Sequence, residues 1–148
     1  MRLLQPPGWP PPRGYTNGVA ARGELVFVAG MVGWDTEGRF PSDDMAGQAR
    51  LALSNMLAVL EQAGAAPADI VRMTWYVTDV EEYLGSQREI GDAFRELVGC
   101  YHAAMTAVEV ARLVEKRAKV EIEATAVIPS RQHQILRRVT RRIPWRRP

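Results

Sequence analysis

Apolar and polar positions along the chain alternate between two periods, and the alternation predicts its elements. The first twelve residues carry five of the ten prolines and are expected to be extended or turn-like, because proline donates no ladder hydrogen bond. Residues 15–21 and 24–30 then read as two short strands, and Arg22 and Gly23 between them have the two-residue spacing of a hairpin. A loop over 32–41 leads to Ser42, read as the cap of a helix with Asp43 and Asp44 in its first turn. Met45, Ala49, Leu53, Met56 and Leu60 recur at intervals of 4, 4, 3 and 4, one stripe at the helical period, so this helix should run to about Ala63 and stop at Gly64.

Residues 69–78 switch to period two, with Val71, Met73, Trp75 and Val77 on one face and Arg72, Thr74, Tyr76 and Thr78 on the other. A second helix is predicted over 80–98, its stripe formed by Tyr83, Ile90, Phe94 and Leu97, with Gly99 at its end. Residues 105–113 and 119–128 read as strands; in the last, Val120, Ile122, Ala124 and Ala126 oppose Glu121, Glu123 and Thr125. The order is β-β-α-β-α-β-β. Right-handed crossovers then place both helices on one face of a mixed sheet, giving a two-layer α/β domain over residues 1–129. The other sheet face mixes Thr74, Tyr76, Glu121 and Glu123 with Ala and Trp, which suits a subunit interface with a small ligand cleft.

Charge changes the picture less than its total suggests. The chain is 148 residues with a net charge of +2, but seven arginines and no acid lie beyond residue 129, leaving twelve basic against seventeen acidic residues in the body. Residues 130–148 read as a disordered basic extension, and a nucleic-acid or acidic-lipid partner could act only through it. The single Cys100 rules out an intrachain disulfide and fits a reducing, cytoplasmic home. The longest uncharged stretch, 97–108, is 12 residues, too short to span a bilayer, and the proline-rich start is not a secretory signal.

No glycine-rich phosphate loop, HExxH, GxSxG or Cys/His ligand spacing occurs, so no nucleotide, metal or other cofactor is expected. His102 and His133 stand apart from any nucleophile and read as structural; Cys100 reads as a small filler, and Trp34, Trp75 and Tyr76 as packing.

Several segments resemble the RidA family, also called YjgF/YER057c/UK114 and, in older usage, L-PSP endoribonuclease. They are Gly14-Tyr15-Thr16-Asn17-Gly18-Val19, Val26-Phe27-Val28-Ala29-Gly30, Val77-Thr78-Asp79, and the run from Met105 to Leu113 followed by Lys119-Val120-Glu121-Ile122-Glu123-Ala124. The resemblance covers about residues 12–129 and implies a chorismate-mutase-like fold assembled as a homotrimer with a ligand cleft between subunits. It also implies hydrolytic deamination of small enamines or imines. Glu121 matches the glutamate that positions the hydrolytic water, Tyr15 the tyrosine of the cleft wall, and Gln87 the helix asparagine, while Gly30 and Ala107 fall at cleft positions. The arginine that binds the substrate carboxylate is Met105, its preceding proline is Ala103, the cysteine two residues on is Ala107, and the serine of the second strand is Ala29.

A guanidinium holds a carboxylate by two charge-assisted hydrogen bonds, whereas a thioether provides dispersion only. The expected function is therefore deaminase-type hydrolysis with an altered substrate preference, Glu121 being the catalytic group. The competing reading is a catalytically silent trimer that binds a small molecule. Arg112 and Lys119 are the candidates for a substitute charge, although Arg112 shares a strand face with Val108 and Val110.

Overall fold

A computed structural model of the chain describes residues 1–99 and 102–130. Expectations for Cys100, His133 and the basic extension lie outside the described residues. Among the described residues, six strands and three α-helices follow in the order β1 (Arg2–Leu4), β2 (Gly18–Ala20), β3 (Glu24–Val32), α1 (Met45–Gln62), β4 (Ile70–Val77), α2 (Val80–Gly85), α3 (Gln87–Leu97), β5 (Ala104–Glu109) and β6 (Val120–Ile128), with a 3-10 turn at Pro67–Asp69 before β4.

The main sheet has the order β3-β6-β4-β5. Strand β6 runs antiparallel to both β3 and β4, and β4 runs parallel to β5, so the sheet is mixed as expected. Its core face presents Val28, Met73, Trp75, Val77, Val120, Ile122, Ala124 and Ala126, all buried. Met45, Ala49, Leu53, Met56 and Leu60 of α1 pack on that face and are each 0 % exposed, with Ile90 and Phe94 of α3 beside them. The stripe predicted from spacing is therefore the stripe that is buried.

Four local expectations are corrected. Strands β2 and β3 do not pair as a hairpin: β2 pairs with β1, Arg2 opposite Ala20, and β3 pairs with β6. The alternating Val26 and Val28 of β3 find the helix-covered sheet, whereas three-residue β2 has no buried face to bring to it. Gly23 makes the turn away possible, since a Cβ there would lie 2.0 Å from the Ile128 carbonyl oxygen.

Asp44, rather than Ser42, caps α1. Its Oδ1 accepts from the Gly47 amide at 2.7 Å, and the Ser42 hydroxyl donates to its Oδ2 at 2.6 Å. Those bonds, the Ser42 one foremost, hold the Asp44 carboxyl below the usual carboxylate range. The second helix is two helices: Ser86, at φ −97° and ψ 4°, breaks it, with its amide reaching both the Glu82 and Tyr83 carbonyls. The preceding Gly85 carries the entropic cost that makes a break easy there. Finally, β5 ends at Glu109 because β4, its neighbour, ends at Val77; Val110 makes the last bond, to the Val77 carbonyl at 2.8 Å.

One buried polar side chain ties the layers together. Gln48 on α1 is 1 % exposed and satisfies three backbone groups: Nε2 donates to the carbonyls of Ser42 (3.1 Å) and Arg117 (2.9 Å), and Oε1 accepts from the Lys119 amide (2.8 Å). Gly33 allows the close approach this needs, because a Cβ there would meet Gln48 Cα at 2.6 Å. Lys119 continues the tie through both carboxylate oxygens of Glu82 at 2.7 Å, and Glu82 also accepts the first amide of α1, Met45 N, at 3.0 Å. Replacing Gln48 by Ala strands two carbonyls and an amide, so Gln48→Ala should lose about 2–4 kcal/mol in urea unfolding with little change in slope. Arg39→Gln, which removes exposed ion pairs with Asp35 and Glu37, should lose under about 1 kcal/mol.

Candidate functional site

A cleft of about 510 Å³ opens where α3 meets the edge strand β5. Segment 13–15 forms one wall, pinned beside β5 by the Thr16 amide, which donates to the Ala103 carbonyl at 3.0 Å, and by a parallel bridge from Thr16 to Ala104. The opposite wall is α3, which presents Gln87, Gly91 and Arg95 at four-residue spacing on one face while Ile90, Ala93 and Phe94 are buried. Gly91 has no side chain, which leaves room between helix and strand. The floor is Trp75 and Met105, and Tyr83 leans on the Trp75 ring at a 6.3 Å centroid distance and 59°. Burial raises the Tyr83 phenol above its ordinary range.

Strand parity decides what enters this cleft. Met105 is opposite Met73 and Ala107 opposite Trp75, so both sit on the helix-facing side. Tyr15, Gln87, Met105 and Ala107 are thus brought together in one cleft. Glu121 is opposite Tyr76 and belongs to the other face, where it meets Gly30: a Cβ on Gly30 would lie 1.8 Å from Glu121 Oε1. Glycine at position 30 is what lets the carboxylate lie against the β3 backbone. Glu121 makes no hydrogen bond or ion pair among the described residues. The six expected site residues therefore divide into a group of four and a group of two on opposite faces of one sheet.

The second face carries more than the sequence suggested. Phe27 and Leu25 are 74 % and 58 % exposed there, and a depression of about 470 Å³ is lined by Phe27, Ala29, Arg72, Thr74, Glu123 and Thr125 among others. Tyr76 donates to Glu123 Oε1 at 3.2 Å; desolvation first, and the Glu123 carboxylate next, raise its phenol pKa. Neither expected substitute for a cleft cation is in the cleft. Lys119 is committed to Glu82, and Arg112 lies past the end of β5. Sequence reasoning missed the two arginines that do line it, Arg13 and Arg95. Only the four-residue spacing of Gln87 and Arg95 about Gly91 could have signalled one of them. Among the described residues no cluster of three His, Cys, Asp or Glu side chains could hold a metal ion, and no helix is long and apolar enough to cross a membrane.

A mixed four-stranded sheet covered on one side by helices, with a cleft at its parallel edge, defines the class of YjgF-type α/β proteins. Residues 9–128 match the family model described as Endoribonuclease L-PSP, and the chain belongs to that family, the RidA or YjgF family. It is 35 % identical over 113 residues to the 2-iminobutanoate/2-iminopropanoate deaminase of Salmonella typhimurium, covering 76 % of this chain and 86 % of that one. Among solved structures it is similar to Rid-family YyfB from Yersinia pestis, at TM-score 0.76 and 30 % identity, covering 86 % of this chain and 98 % of that one. It is also similar to Escherichia coli TdcF with bound serine, at TM-score 0.61 and 31 % identity, covering 87 % and 100 % respectively. Related proteins of the family are thus named as deaminases.

The raised Tyr83 pKa has a sign. The unfolded phenol ionises near pH ~10 and the folded one higher, so its contribution is fully present below about pH 10 and is lost as pH rises past it. Stability should fall on the alkaline side, and the fall should be shallower in Tyr83→Phe, as read by unfolding midpoints between about pH 8 and 11.

Proposed function

We propose that this protein is a deaminase-type hydrolase of small enamines or imines, working in a homotrimer in which the Glu121 face of one subunit closes the Met105 cleft of the next. The observation that carries this reading is the split of the site: Tyr15, Gln87 and Met105 on one face, Glu121 and Gly30 on the other. No single chain can assemble these groups, and an exposed apolar strip with Phe27 and Leu25 beside the Glu121 face gives a second subunit a surface to cover. A cytoplasmic location and a cofactor-free reaction accompany the proposal.

The chemistry asks little of the protein. Water adds to the imine carbon while a carboxylate takes one of its protons and returns it to nitrogen; the carbinolamine then expels ammonia and leaves a ketone. Glu121 is the group suited to that shuttle. With Met105 in place of a guanidinium, a short 2-imino acid loses its deep carboxylate anchor, which shifts preference toward substrates with a larger apolar part. The substituted positions Ala29, Ala103, Met105 and Ala107 favour one alternative, a trimer that binds such molecules without turning them over.

Enzymatically generated imines of several amino acids, followed by semicarbazone trapping, separate the two. Deamination should appear for imines of bulkier apolar amino acids and drop by about 100-fold in Glu121→Gln. No rate above background for any imine, beside an active control, would leave the binding trimer. Met105→Arg should raise kcat/KM for 2-iminopropanoate by about 30- to 1,000-fold. Gly30→Ala displaces the Glu121 carboxylate and should lower kcat more than it raises KM.

A further inference from the structure

The connection between β1 and β2 holds five prolines between positions 6 and 12, and its residues 5–12 line no part of the cleft. Within it Trp9 is 62 % exposed. An indole left in solvent forgoes a large burial term, and here the backbone itself holds the ring outward.

Two devices do so. Pro6-Pro7-Gly8-Trp9 is a turn of the type II pattern, with proline second and Gly8 third at φ +80°, closed by the Trp9 amide donating to the Pro6 carbonyl at 3.4 Å. Gln5 braces the other side: its Nε2 donates to the carbonyls of Trp9 (3.2 Å) and Pro10 (3.4 Å), and its Oε1 accepts from Asn17 Nδ2 at 2.6 Å, which closes the base of the connection. Beyond the turn, Trp9, Pro10 and Pro11 each precede a proline, so the helical region is disfavoured for all three, and the ring fixes φ at each proline. Residues 9–12 are thereby confined to a polyproline II run, with three residues per turn and a rise of about 3.1 Å each. Trp9, Pro10 and Pro11 are exposed and Pro12 is half-buried. The Pro11 and Pro12 carbonyls accept no hydrogen bond among the described residues.

We infer that Trp9-Pro10-Pro11-Pro12 is a docking segment for another protein, one whose groove is lined with aromatic rings, offers donors to the proline carbonyls and carries acidic residues at its rim. Proline rings pack on such a groove, and a run already confined to polyproline II gives up little chain entropy on binding. Charge gives the rim its sign: residues 1–23 hold Arg2, Arg13 and Arg22 and no acid, in a body that carries more acids than bases. A lipid surface is the poorer match, because the prolines deny this segment the helical face that lies in one. The inference is independent of the deaminase reading and of the cleft.

The test sets the full chain against three isolated polyproline-binding domains, of the EVH1, SH3 and WW types, each labelled with 15N and followed by NMR. At least one should bind through its aromatic groove with a Kd below about 1 mM, more weakly as salt rises. Trp9→Ala should lower that affinity about tenfold. Pro11→Gly, which frees the backbone and keeps the indole, should lower it about two- to fivefold. Both positions are exposed, so neither change should unfold the chain, as read by circular dichroism. No shift in any of the three domains, shifts confined to surfaces outside the groove, or binding that Trp9→Ala leaves untouched would overturn the inference. A Trp9 already covered in the free protein would overturn it as well. Acrylamide should quench the wild type more than Trp9→Phe, and equal quenching would mean that a second copy of this chain occupies the surface.

Discussion

Strand β6 is the constraint on which the structure depends. It pairs on both sides, with β3 and with β4, and its alternation is strict: Val120, Ile122, Ala124 and Ala126 are buried under the helices while Glu121, Glu123 and Thr125 face the other way. A one-residue slip in register would put two carboxylates into an apolar core and expose four aliphatic residues. The cost of that exchange fixes the register, and the register fixes on which face Glu121 stands. The proposed catalytic group is therefore placed by the hydrophobic effect acting on its neighbours, without a hydrogen bond of its own.

The same logic accounts for the bulge in β3. Pairing steps from Val28 opposite Ala124 to Met31 opposite Ile122, so Ala29 and Gly30 occupy three-residue spacing against two. Val28 and Met31 both stay on the core side, and Gly30 is left beside the Glu121 carboxylate. Gln48 and Glu82 then secure the far end, holding the start of α1, the start of β6 and α2 to one another through backbone partners. The polar groups at this junction are few and satisfied, and the sheet edge at β5, where the cleft lies, is left free of them.

The strong periodic features were legible in the sequence. The α1 stripe, the two-faced strands β4 and β6 and the succession β3, α1, β4, β5, β6 follow from spacing, because burial of a whole face outweighs local preference. The partners of short elements were not legible. Residues 18–20 look like half a hairpin, yet what they pair with depends on where residues 2–4 return in space. The break at Ser86 was hidden because the stripe through Tyr83, Ile90 and Phe94 survives it. At the candidate site, Tyr15, Gln87, Met105 and Ala107 line one cleft, and parity along β5 and β6 already implied that Glu121 faces away from them. Arg13 and Arg95 were illegible, because an arginine after a proline run and an arginine near the end of a helix both read as solvated charge until the two walls are seen to converge.

Helix α3 separates two kinds of selection. Ile90, Ala93 and Phe94 hold it to the core, and Gln87, Gly91 and Arg95, one step around the same cylinder, face the cleft. Substitutions in the second row leave the buried row, and with it the folding free energy, largely untouched. Descendants of one scaffold can therefore exchange ligand chemistry by single codon changes along this row, and the divergence of recognition among them need not track any loss of robustness in the fold.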